Sequence, residues 1–176
     1  MKTPKIFYWD SSVFIAFLSD EQEEDRAQHV EQLLNEAEAG DMFIVTSSFT
    51  LVEVIKLKGK PAISPESAKR VTDFFEKDYF KFVDASRKIT SAARNLIWTL
   101  PGLFPKDAVH LASAIEFAGV ESLHGIHSYD RDFLSLNGKL PIKCPITKPV
   151  PEQPYLLNVP GVKKSKKQKR TRRLEF

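Results

Sequence analysis

The chain is 176 residues long, 42% hydrophobic and 28% charged, a composition that suits one soluble globular domain with a real core. It has no apolar run of membrane-spanning length and no signal-like opening segment, and a lone cysteine, Cys144, excludes a disulfide framework and a cysteine zinc site. A reducing cytoplasm with no membrane partner is the expected setting. The net charge of +3 misleads, because eight bases crowd into Lys163, Lys164, Lys166, Lys167, Lys169, Arg170, Arg172 and Arg173. With these and Glu175 set aside, 18 bases face 22 acids, a net of −4. The body is mildly acidic, and the basic run reads as a disordered, solvated tail whose eight charges are candidate contacts to nucleic acid.

Ile6-Phe7-Tyr8-Trp9 is a short apolar run that reads as a buried strand ended by Asp10, with Ser11-Ser12 capping a helix to Phe17 or Leu18. A helix from about Glu24 to Ala39 puts Val30, Leu33, Leu34 and Ala37 on one face, and Gly40-Asp41 stops it. Residues 42–46 form the second strand. Ser47-Ser48 then cap a helix from Phe49 to Lys58 that is apolar all round at Leu51, Val52, Val54 and Ile55, apart from Glu53. Gly59-Lys60-Pro61 breaks it, and Ser64-Pro65-Glu66 opens another to about Lys77. A third strand over 80–83 and a helix from Ser86 to Trp98 follow, closed by Leu100-Pro101-Gly102.

After Pro105, the spacing of Leu111, Ala114, Ile115 and Ala118 predicts a helix beginning near Asp107, thin enough through its alanines to pack close to a sheet. A fourth strand over 123–127, a short helix from Arg131 to Leu136 and a last strand near Ile142 complete the body. From Pro145 onward the prolines predict an extended arm. The reading is an α/β domain over 1–146, an arm over 147–162 and a tail over 163–176. Its parallel sheet of four or five strands has the first strand central and helices on both faces, and its functional crevice lies at the strands' carboxyl ends.

Four acids stand out. Asp10 and Asp130 end strands, Asp107 opens a helix and Glu53 lies within one. Each has a plain alternative: Asp10 as a helix cap, Asp107 as a favourable first-turn acid, Glu53 paired with Lys56, Asp130 as a turn residue. Glu53 resists its alternative best, since an unpaired carboxylate among Leu51, Val52, Val54 and Ile55 would cost several kcal/mol. If the four meet at one mouth of the sheet they repel, and a divalent cation is the natural answer. All-oxygen ligands favour magnesium or manganese.

Asp10-Ser11-Ser12, then Ser48-Phe49-Thr50-Leu51-Val52-Glu53-Val54, then Pro105 to Ala114, then Ser128-Tyr129-Asp130-Arg131-Asp132-Phe133 form an ordered set that resembles the PIN-domain nucleases. It looks most like the VapC-type toxin ribonucleases of toxin–antitoxin pairs. The resemblance covers about residues 5–146 and implies a three-layer α/β/α domain. It further implies an Mg2+- or Mn2+-dependent endoribonuclease acting on RNA, a cognate antitoxin and a homodimer. Asp10, Glu53, Asp107 and Asp130 would be both the catalytic and the metal-holding quartet, with no histidine base required; His110 reads as a packing or interface residue. Ser12 and Asp132 are outer candidates, each with a helix-cap role as its alternative, which for Asp132 is the favoured one. The proline-rich arm and basic tail depart from the small toxins.

Two other readings compete. A haloacid-dehalogenase-type phosphatase would want an aspartate two positions after Asp10, where Ser12 stands. A non-catalytic PIN-like RNA-binding or scaffold module would keep the fold without the metal.

Overall fold

The computed structural model describes residues 3–18, 24–54, 64–140 and 143–151. Five strands, β1 (Lys5–Trp9), β2 (Met42–Ser47), β3 (Phe80–Val83), β4 (Gly125–His127) and β5 (Ile146–Thr147), form one sheet in the order β3-β2-β1-β4-β5. Every neighbouring pair is parallel and β1 is central, as expected from its unbroken apolar run. The helices are α1 (Ser11–Leu18), α2 (Glu24–Glu38), α3 (Thr50–Glu53), α4 (Pro65–Phe75), α5 (Arg87–Thr99), α6 (Pro105–Ala118) and α7 (Arg131–Leu134).

Alternation along the strands builds two cores. Ile6 and Tyr8 of β1 and Val45 of β2 face a core with α5 and α6; Trp9 and Ile44 face the other, with α1, α2 and α4. This is the three-layer arrangement. Ala108, Ala112 and Ala114 are buried, so α6 lies close against the sheet, and Val30, Leu33, Leu34 and Ala37 are the buried face of α2 as the periodicity requires.

Three local expectations are corrected. Among the described residues the last strand is Ile146–Thr147, past the expected Ile142, which itself lies outside the described residues. Pro145 and Pro149 flank an edge strand, where a missing N–H is tolerated. Ser11 and Ser12 do not cap α1, and of the pair before α3 only Ser47 bonds at its entrance, its Oγ accepting from Phe49 N (3.3 Å), while Ser64 caps α4 as expected. Asp10 Oδ1 accepts from Ser12 N at the start of α1 (3.0 Å), and Ser48 Oγ accepts from Ala85 N (2.9 Å), which ties β2 to the turn after β3. Finally, α6 starts at Pro105, slightly ahead of the expected start near Asp107, and Asp107 keeps its expected place in the first turn. Residues 55–63, with Lys56, and the whole basic tail lie outside the described residues.

His127 closes β4 face to face with Phe7 at 4.5 Å, and its Nδ1 is buried without a partner. Gly125 makes room for the same ring, since a Cβ there would come within 3.3 Å of it. Burial pulls the His127 imidazole down from 6.5 to about 4, so it is neutral when folded. The unfolded chain takes up this proton below pH 6.5 and the folded one does not. Stability present above pH 6.5 is therefore lost as pH falls towards 4, by about 3 kcal/mol. His127→Phe should flatten that fall in urea melts between pH 4 and 7; an unchanged slope would show that other groups set the acid limb.

Candidate active site at the carboxyl edge of the sheet

Parallel pairing of Trp9 with His127 brings the residues that follow them, Asp10 and Ser128, side by side. Ser128 Oγ donates to Asp10 Oδ2 at 2.6 Å, and Ser12 donates to Oδ1 through its Oγ at 2.5 Å as well as through its amide. The same two hydroxyls accept from the next loop: Tyr129 N to Ser12 Oγ (2.8 Å) and Asp130 N to Ser128 Oγ (2.9 Å). Asp10 is thus fixed by two serines that also fix the backbone leading to Asp130. Burial raises the Asp10 carboxyl above its ordinary value despite these bonds.

Asp107 arrives from the first turn of α6 and Asp130 from the start of α7. Asp130 Oδ1 caps α7, accepting from Asp132 N at 2.8 Å, while Oδ2 lies 3.5 Å from Lys106 Nζ. The cap is therefore Asp130, not Asp132. Asp132 is exposed, and with Asp107 and Lys139 it lines a cleft floored by Leu100, Leu103 and Leu136. Lys106 Nζ also stands 3.4 Å from Asp107 Oδ1. Burial raises the Asp107 carboxyl; the charges of Asp130 and Asp10 push the same way, and Lys106 opposes them. Burial works against the charge on Lys106, but Asp107 and Asp130 prevail and hold it more firmly protonated.

Glu53 differs from its expected setting. Leu51 and Val52 are 37% and 68% exposed, so α3 is not apolar on every buried side, and Glu53 has a partner other than a cation. His110 Nε2 lies 2.7 Å from Glu53 Oε2, and His110 Nδ1 lies 2.9 Å from the Tyr8 hydroxyl. Burial disfavours a charge on Glu53, but the bond and field of His110, with help from Ser11, outweigh it and keep the carboxyl below its usual range. His110 is buried within the site and not on an outer interface.

The four acids thus come from four elements to one end of the sheet. As placed, no three His, Cys, Asp or Glu side chains among the described residues stand close enough together to hold one ion. The donor chemistry nevertheless suits a hard cation: oxygen ligands, two carboxyls raised by burial, and a lysine ammonium drawn between two of the acids.

A family model for the PIN domain matches residues 7–139. The chain belongs to the PIN domain family. Among solved structures, this PIN domain is similar to VapC20 of Mycobacterium tuberculosis, described as a sarcin-ricin loop cleaving toxin. The TM-score is 0.57 at 14% identity, covering 73% of this chain and 93% of that one. It is also similar to FitAcB of Neisseria gonorrhoeae, with a TM-score of 0.51 at 15% identity, covering 81% and 97%. No curated protein sequence matches at a significant level. Both likenesses are of fold, and the five-stranded parallel sheet is the shared frame. Among the described residues no helix is long and apolar enough to cross a membrane.

Sequence reasoning passed over Lys106, Ser128 and the partnership of His110. A lysine beside Asp107 and a serine two residues before Asp130 were visible, but their use depends on contacts across 24 and 118 residues.

Proposed function

We propose that this PIN domain is a divalent-cation-dependent endoribonuclease, the toxin of a toxin–antitoxin pair, acting on RNA as a homodimer. The observation that supports it most is the arrival of Asp10, Glu53, Asp107 and Asp130 at one mouth, with Lys106 bridging Asp107 and Asp130. These four carboxylates are the residues that would hold Mg2+ or Mn2+. When bound, such an ion neutralises charge at a phosphodiester and lowers the pKa of a bound water. The chain's own part is positional: Ser12 and Ser128 fix Asp10, α7's cap fixes Asp130, and the first turn of α6 presents Asp107. The VapC20 likeness, to a sarcin-ricin loop cleaving toxin, supports RNA as the substrate and a toxin's role.

A second reading has an observation in its favour. Lys106 and His110 already give Asp107, Asp130 and Glu53 partners without a metal, as a non-catalytic PIN-like module would need. Incubating the full chain with structured RNA separates the two. Cleavage in Mg2+ that stops on adding chelator supports the nuclease; binding without cleavage in Mg2+ or Mn2+ supports the module.

The tail is proposed to add affinity and not chemistry. If all eight bases of residues 163–173 engage single-stranded RNA, truncation at Pro160 should flatten the log–log salt dependence of binding by about 6. An unchanged slope would remove the tail from the interface.

A further inference from the structure

We propose that Tyr8 and His110 are positioning residues that hold Glu53 in place for the cation, an inference resting on the function proposed above. Glu53 belongs to a helix of four residues with no side-chain N-cap. Its neighbours Leu51 and Val52 are exposed, so the packing of α3 does little to orient the carboxylate. What anchors α3 is the buried Thr50, whose hydroxyl meets Thr46 Oγ1 at 2.7 Å, and Val54 at the helix end. Neither touches the glutamate's head. Ordering a free glutamate side chain costs conformational entropy, and a fixed partner meets that cost before any cation arrives.

His110 is that partner. A carboxylate only accepts, so the hydrogen of the Glu53–His110 bond belongs to Nε2, and Nδ1 is left to pair with the Tyr8 hydroxyl. Both distances are short, both ring nitrogens are used, and His110 is 2% exposed, so the imidazole is held at both ends. The placement is economical of elements. Tyr8 lies on β1 just before Asp10, and His110 lies one turn beyond Asp107 on α6. The two elements that deliver Asp10 and Asp107 therefore also fix the third carboxylate, on a helix too short to fix it itself.

The test uses the full chain, with Mn2+ as the probe and its affinity read by electron paramagnetic resonance, beside the melting temperature in chelator. His110→Leu should weaken Mn2+ binding about 10- to 100-fold, the range for removing a group that orients a ligand. His110→Gln restores a donor to Glu53 and should recover affinity to within about threefold of wild type. Tyr8→Phe, which frees the ring at its other end, should weaken binding in the same direction as His110→Leu. In RNA cleavage the loss should fall on kcat and not on KM. If His110→Leu does not fold, His110→Gln and Tyr8→Phe decide the matter. Wild-type Mn2+ affinity in a folded His110→Leu or in Tyr8→Phe overturns the relay, as does His110→Gln no better than His110→Leu at equal melting temperature. Mn2+ binding by wild type that all three variants leave untouched overturns the relay alone. A wild-type chain that takes up no Mn2+ overturns the proposed function itself.

Discussion

Asp107→Asn should abolish metal-dependent cleavage, by more than roughly 100-fold, while raising the melting temperature in chelator. The side chain is 7% exposed and burial raises its carboxyl, with Asp130 and Asp10 adding repulsion. A folded-state pKa above the unfolded one contributes stability at low pH that is lost as pH rises through the folded value. At neutral pH the ionised group is therefore a liability that asparagine does not share. Two effects oppose this. The Lys106 ion pair is lost, but Lys106 is half exposed, and such pairs contribute about 0–1 kcal/mol. The favourable placement of an acid in the first turn of α6 is worth about 0.3–1 kcal/mol, and burial with the repulsion of Asp130 and Asp10 works against it. A purely structural Asp107 predicts the reverse on both readouts: a lower melting temperature and wild-type cleavage.

Phe14→Ala should cost about 3–5 kcal/mol of folding stability. Phe14 is fully buried, and its ring centroid lies 5.2 Å from Phe75, 5.5 Å from Trp9 and 5.8 Å from Phe80. One side chain thus joins α1, α4, β1 and β3. Removing it opens a cavity that aromatic neighbours on three elements cannot all close. Against a total of about 5–15 kcal/mol for a domain of this kind, the loss leaves a marginal protein. Because α1 follows Asp10 directly, the variant should also weaken cation binding more than a distant core truncation of equal cost, such as Ile89→Ala. Denaturant unfolding with a loss below about 1 kcal/mol would show that this cluster does not hold the layer.

The sheet was legible because its signals are local. Ile6 to Trp9 is an apolar run closed by an acid, and strands alternating with helices admit few arrangements other than a parallel sheet. The convergence of Asp10, Asp107 and Asp130 followed, since all three flank elements that finish or start at one edge. Glu53 was read from the apolar letters around it, and there the inference misled. Leu51 and Val52 face outward, and the compensating group is His110, 57 residues away on α6. A histidine on an apolar helix carries no local mark of its partner. Ser128 likewise reads as a turn residue until β4 is paired with β1. The edge strand was displaced because proline was weighed as a breaker without knowing that β5 has a neighbour on one side only.

As proposed above, the carboxylate mouth takes a hard divalent cation. Calorimetric titration of Mn2+ into the full chain and into the double variant Asp10→Asn/Asp107→Asn tests it most directly. Saturable binding by the wild type that disappears in a folded double variant is the predicted result. Equal binding by both, or none by either, would contradict it.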